Sequence, residues 1–205
     1  FATTARTPAV TADFFPGGFG DRIPVRFVRW APETPGFNYS AINNYGVQFA
    51  RGEYLLFLNN DVELIGPDSI TKEMVIPVYA PVYYDKREAV GIAGAAFVGL
   101  HEKENSYMHR MMCVQDLSAV TAACLMMPKE TFLKVQGFRE ELAVAFNDID
   151  LCMKVRALGQ LVVYDPYVTF HHYESKSRGL EDTPEKVQRF NNEIAVFAHY
   201  WGRIL

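Results

Sequence analysis

Cysteine is scarce and odd in number: Cys113, Cys124 and Cys152 are the whole supply in 205 residues. Three thiols in apolar surroundings exclude a disulfide scaffold and point to buried free thiols in a reducing compartment. Long hydrophobic runs are also missing. Tyr54–Leu58 and Ala119–Met127 fall far short of the roughly 20 apolar residues that span a bilayer, and no signal peptide is recognisable. There is no basic excess: 20 Lys and Arg face 24 Asp and Glu, for a formal charge of −4. That balance speaks against a broad nucleic-acid footprint but leaves room for a small phosphate site. Repeats and low-complexity tracts are absent, and the sequence opens on Phe1 rather than Met, which leaves room for residues upstream.

What is present suits one α/β domain. Apolar residues make up 49% and charged residues 21%, the ordinary globular mix. A chain of this size can bury a core without disulfides or a structural metal. Residues 1–23 are turn-rich and read as a linker. Pro24–Trp30 alternates as a strand, and Pro32, Pro35 and Gly36 break it. Ser40 is a candidate cap for a helix over 41–51, with Ile42, Tyr45 and Phe49 on one face and Gly52 past its end. Tyr54–Leu58 is a continuous apolar run, the pattern of a strand covered on both faces in a parallel sheet.

Further on, 67–76 reads as a short helix and Ala119–Met127 as a second buried strand. Pro128 suits the first turn of a helix that Gly137 closes. Asn147-Asp148-Ile149-Asp150 opens a helix stopped by Gly159. Leu161–Tyr164 and Val168–Phe170 read as short strands, and the latter delivers His171-His172. Thr183-Pro184-Glu185 starts a C-terminal helix with Val187, Phe190, Ile194, Phe197 and Trp201 at helical spacing.

Three polar clusters stand where apolar elements end: Asn59-Asn60-Asp61, Asn147-Asp148-Ile149-Asp150, and His171-His172 with Ser177 and Arg178 behind them. Each alone has a bland explanation as turn residues, a helix cap, or a half-buried histidine pair. Together they describe more. Carboxylate and imidazole from two strand ends suit a divalent cation such as Mn²⁺. A second carboxylate can serve as a general base, and Ser177 with Arg178 can bind phosphate. This set fits group transfer from a nucleotide-activated donor.

The segments Phe37-Asn38-Tyr39-Ser40-Ala41-Ile42-Asn43-Asn44-Tyr45-Gly46, Leu58-Asn59-Asn60-Asp61, Ala119-Val120-Thr121-Ala122-Ala123-Cys124-Leu125, Ala143-Val144-Ala145-Phe146-Asn147-Asp148-Ile149-Asp150 and Tyr173-Glu174-Ser175-Lys176-Ser177-Arg178-Gly179 resemble, in order, the family 2 glycosyltransferases. The branch resembled makes bacterial surface polysaccharides, including rhamnose-rich and O-antigen chains. The resemblance runs from about residue 24 to the C-terminus. It implies a GT-A fold with a mostly parallel central sheet flanked by helices. It also implies an inverting single displacement and a nucleotide-sugar donor (UDP-, dTDP- or GDP-linked) with Mg²⁺ or Mn²⁺.

Residue by residue, the resemblance implies that Asp61 is the main carboxylate ligand of the metal, with Asn59 and Asn60 beside the donor. Asp148 falls on the family's base position. His172 falls on its late metal ligand, and Ser177 and Arg178 near the donor diphosphate. Asp150 and His171 are secondary candidates. The acceptor implied is a saccharide or lipid-linked saccharide, at the cytoplasmic side of the cell and in peripheral contact with the inner face of the membrane.

Two departures stand out. The family's first strand, helix and strand, which hold the nucleotide base, have no counterpart here. The segment from Met74 to Gly91 is also short. The chain therefore reads as a single-domain GT-A fragment (1–205) of low activity on its own, with residues 184–205 as a C-terminal helix that could mediate oligomers. Two other classes stay open: a non-catalytic GT-A-like scaffold and a metal-dependent nucleotidyltransferase. Phe14, Phe15, Tyr83 and Tyr84 are candidates to stack on sugar rings, although aromatics more often fill cores.

Overall fold

In a computed structural model, residues 2–4, 28–31, 36–64, 82–84, 93–95, 107–168, 170–172 and 183–202 are described. The expected helix over 67–76, the side chains of Phe14, Phe15, Tyr83, Tyr84 and His171, and the residues Ser177 and Arg178 lie outside that description.

The frame is an antiparallel pair. β3 (Tyr54–Leu58) runs against β8 (Cys124–Pro128), with Tyr54 opposite Pro128 and Leu58 opposite Cys124. The ladder continues beyond both ends: Asn59 N donates to Ala123 O at 2.9 Å, and Lys129 N donates to Glu53 O at 2.8 Å. Leu55 and Phe57 point into the core, whereas Tyr54, Leu56 and Leu58 keep 40–42% of their surface exposed. The apolar run therefore behaves as a half-covered strand among the described residues, not as one covered on both faces. Phe57 packs against Phe132 and Phe138 with ring centroids 5.2 and 5.0 Å away, and Tyr39 meets Phe138 edge-on at 5.6 Å. Burying each such ring contributes roughly 1.5–3 kcal/mol.

The other described strands also pair two by two. β1 (Ala2–Thr4) lies parallel to β2 (Val28–Trp30), so part of the expected linker is a strand. β4 (Val62–Leu64) is antiparallel to β10 (Phe170–His172), β5 (Val82–Tyr84) to β6 (Ala93–Ala95), and β7 (Gln115–Asp116) to β9 (Val163–Tyr164). The parallel neighbours expected for β3 are not among these pairings.

α1 (Tyr39–Val47) starts two residues earlier than its sequence suggests. Asn38, not Ser40, is the cap, accepting from Ala41 N at 2.9 Å. Ser40 is instead fully buried and donates from Oγ to Leu142 O at 2.6 Å. The helix also ends at Val47, well before Gly52. α2 (Lys129–Lys134) follows Pro128 and is closed by two left-handed residues, Gln136 and Gly137. Glycine is needed at 137. Its φ is +66°, and a Cβ there would lie 2.6 Å from Asn44 Oδ1, the atom that accepts the Phe138 N–H at 2.9 Å.

α3 (Asn147–Ala157) carries Asp148 and Asp150 in its first turn and Lys154 and Arg156 in its last, which complements the helix dipole. α4 (Pro184–Trp201) is capped by Thr183 and buries Glu193, Phe197 and Trp201. Among the described residues no helix is long and apolar enough to cross a membrane. All three cysteines are free. Cys124 and Cys152 are buried as expected, but Cys113 is exposed.

Candidate active site

β3 ends at Leu58 and the chain turns through Asn59, Asn60 and Asp61 into β4. The β4–β10 register places His172 opposite Val62, the residue after Asp61. That pairing brings His172 Nε2 to 3.2 Å from Asp61 Oδ1 and 3.4 Å from Asn59 Nδ2. Asn60 is exposed in the turn.

Among the described residues, the buried Asp61 Oδ1 makes no hydrogen bond besides its 3.2 Å approach to His172 Nε2. A buried carboxylate oxygen without a donor is costly unless a positive charge faces it. Two donor atoms about 3 Å apart also match neighbouring ligands of one ion with bonds of about 2.1 Å. These residues therefore fit a divalent cation. Among the described residues no group of three or more His, Cys, Asp and Glu is assembled. The protein would then supply two ligands and leave the remaining positions to water or phosphate, the usual manner of Mg²⁺.

Asp148 lies on the same edge. Its Oδ2 accepts from Ala122 N at 3.2 Å and its Oδ1 from Ile149 N at 2.9 Å. Ala122 immediately precedes Ala123, whose carbonyl accepts from Asn59 N. The base candidate and the Asn59-Asn60-Asp61 turn are thus tied to successive residues of one segment. Burial pushes the Asp148 carboxyl above its ordinary value, held back in part by the Ala122 and Ile149 amides and the Thr121 hydroxyl. A carboxylate raised in this way is a stronger base than one in water.

Tyr39 completes the wall. Its hydroxyl donates to Ala122 O at 2.9 Å, so a single residue, Ala122, joins Tyr39 to Asp148. Burial, with the charge of Asp148 as a lesser cause, drives the Tyr39 hydroxyl well above the ordinary phenol range. It therefore stays protonated and keeps donating. Sequence reading assigned Tyr39, Thr121 and Ala122 no role, because their parts depend on tertiary contacts that no spacing encodes.

Asp150 does not join them. It is fully buried, and its Oδ1 accepts from Arg139 Nε at 3.0 Å and from Trp201 Nε1 at 2.9 Å. Its Oδ2 meets Lys154 Nζ at 3.0 Å. Two positions past Asp148 on a helix, a side chain faces a different side, and here that side is the junction of α3 with α4. Asp150 is thereby corrected from site candidate to structural tie.

No family model matches the chain. It is 42% identical over 193 residues to the uncharacterized protein y4gI of Sinorhizobium fredii, across 86% of this chain and 21% of that protein. It is 33% identical over 181 residues to the O-antigen biosynthesis protein RfbC of Myxococcus xanthus, across 80% of this chain and 14% of that one. The chain thus spans about a fifth and a seventh of the length of these relatives. Among solved structures it is similar to GalNAc-T7, crystallised with UDP, GalNAc and Mn²⁺, with a TM-score of 0.54 and 11% identity over 85% of this chain and 38% of that one. The fold is of the GT-A glycosyltransferase type. At 11% identity that likeness speaks for the fold alone.

Proposed function

We propose that this chain carries the metal and base half of an inverting glycosyltransferase of the family 2 kind. It would move a sugar from a nucleotide-diphosphate donor to a saccharide acceptor in surface polysaccharide biosynthesis. The reading is supported by the 3.2 Å approach of His172 to Asp61 and by the hydrogen bonds that tie Asp148 to Ala122 and Asn59 to the adjoining Ala123. The O-antigen biosynthesis relative and the GT-A fold support the reaction class, and the ligands of GalNAc-T7 support a nucleotide sugar and a divalent cation.

An acceptor hydroxyl is a poor nucleophile at neutral pH because its proton is held far above pH 7. Asp148 takes that proton as the oxygen attacks the anomeric carbon, and the bond to the donor diphosphate breaks on the opposite side. The amides of Ala122 and Ile149 hold the carboxylate in one orientation, and Tyr39 holds the Ala122 peptide. Asp61 and His172 would hold Mg²⁺ or Mn²⁺, whose charge would stabilise the departing diphosphate. Asn59 and Asn60 line the same turn and would face the donor. The buried thiols of Cys124 and Cys152 suit a cytoplasmic setting.

The test is a donor screen. The full-length protein is incubated with manganese and UDP-, dTDP- and GDP-sugars, and nucleoside diphosphate release is measured with and without saccharide acceptors. Acceptor-dependent release from one donor is expected. Release of pyrophosphate would indicate a nucleotidyltransferase instead. Manganese-dependent nucleotide binding without turnover of any donor would leave only a binding scaffold.

A further inference from the structure

A second carboxylate, outside the cluster just described, bears on where Asp148 points. Glu193 sits mid-way along α4 and is 2% exposed. Its Oε1 accepts from Val144 N at 2.9 Å and its Oε2 from Ala145 N at 3.0 Å. Arg189, one turn earlier, lies 3.7 Å from Oε2. Both oxygens are thus engaged by consecutive amides of the segment that leads into α3.

That segment has an awkward task. Phe146, its last residue, is left-handed at φ +61°, although it is not glycine, and α3 begins from it without a side-chain cap. A left-handed phenylalanine persists only where its surroundings hold it. Those surroundings come largely from α4. The Phe146 ring stacks on Phe197 at 5.2 Å and leans on Phe190 at 5.6 Å, while Glu193 fixes the two residues before it. From the other side Tyr39 N donates to Ala143 O at 2.7 Å, and the Asn147 side chain donates to Val144 O at 3.0 Å. Asp148 is two residues beyond the left-handed turn, so any relaxation of 143–146 rotates its carboxylate away from Ala122 N.

We propose that Glu193 is a positioning residue: its carboxylate clamps the 143–146 turn and thereby sets the aim of Asp148 at the acceptor hydroxyl. This role rests on the glycosyltransferase reading given above. A charged side chain is a costly way to tie a loop deep in a core, but it alone can accept from two successive amides with two equivalent oxygens.

The test uses the full-length protein and Glu193→Gln, which keeps the length of the side chain but turns one accepting oxygen into an amide nitrogen. Hydrogen exchange in peptides covering 143–150 is expected to accelerate at least fivefold, with β3 and β8 unchanged. In turnover, kcat is expected to fall about tenfold while the donor KM stays within twofold, because the donor side is held by β3, β4 and β10. Glu185→Gln, an exposed change on the same helix, is expected to alter neither. Should Glu193→Gln not fold, Glu193→Asp, one methylene short but with both acceptors, carries the same two readouts. Unchanged exchange at 143–150, faster exchange with unchanged kcat, or kcat and KM changing together would each overturn the proposal. A wild-type protein that turns over no donor overturns the glycosyltransferase reading itself, and is told apart because it fails before any variant is compared.

Discussion

His172 Nε2 lies 3.2 Å from Asp61 Oδ1, and the β4–β10 register is what puts it there. Two residues from opposite halves of the chain become neighbours because Asp61 stands just before β4 and His172 ends the β10 that pairs with it. A slip of one residue in that short ladder would turn the imidazole to the other face. The ladder, more than either side chain, therefore sets this pair.

Asp61→Asn and His172→Ala are each expected to raise the manganese concentration for half-maximal activity by about tenfold or more, since the first removes the charge of one proposed ligand and the second removes the other ligand. Chelation should abolish activity in the wild type, with recovery on adding back Mn²⁺ or Mg²⁺. A metal titration of nucleoside diphosphate release measures both. An unaltered manganese dependence in the two variants would contradict the ligand assignment.

Asp148→Asn is expected to lower transfer by about 10²–10⁴-fold, the usual worth of a general base. Nucleotide affinity should persist, because the variant leaves Asp61 and His172 untouched. Steady-state kinetics and calorimetry on the same preparation separate the two effects. Near-normal turnover in the variant would remove Asp148 from its role.

The pH profile follows from the raised Asp148 carboxyl. The base acts only when ionised, so kcat/KM should climb with pH through a midpoint above the ordinary 3.8 of an aspartate. For stability the sign is opposite. A carboxyl that binds its proton more tightly in the folded state contributes stability in acid, below its unfolded pKa. That contribution is lost as pH rises through the folded value. Activity therefore rises over the same window in which this group's contribution to stability falls. An acid limb centred at or below the ordinary value would refute the burial argument.

Asp150→Ala should act on the fold. It leaves Arg139 and Lys154 facing each other without their shared anion and strips the Trp201 N–H of its acceptor. Breaking such a buried network costs about 3–5 kcal/mol. Thermal unfolding should show a large fall in Tm, with α4 loosened from α3.

Thiol labelling offers an inexpensive check of the core. Cys113 is exposed, whereas Cys124 and Cys152 are buried, and burial pushes the Cys124 thiol up to about 11 and that of Cys152 higher still. Thiolate is the reactive form. In the native protein, iodoacetamide at pH 8 should label Cys113 alone, and all three only after denaturation, as read by intact mass.

The sequence alone determined the helices of its second half. Pro184 to Trp201 is the helix its apolar spacing describes, and Gly159, at φ +77°, stops α3 where expected. These features are local: caps, turn residues and helical periodicity act within a few positions of themselves. The polar ends of apolar elements, where Asp61, Asp148 and His172 stand, are likewise legible in the sequence.

Tertiary structure decided the rest. The pattern of Tyr54–Leu58 does not tell a strand covered on both faces from one whose alternate residues stay exposed, because coverage depends on what packs across it. Asn38 displaced Ser40 as the α1 cap because Ser40 was taken up by the Leu142 carbonyl, a partner far away in the chain. Asp148 and Asp150 look alike in sequence, yet one meets the Ala122 amide and the other is locked between Arg139, Lys154 and Trp201. What surrounds each carboxylate was settled by the neighbours each helix face meets, and those neighbours come from segments that only folding brings together.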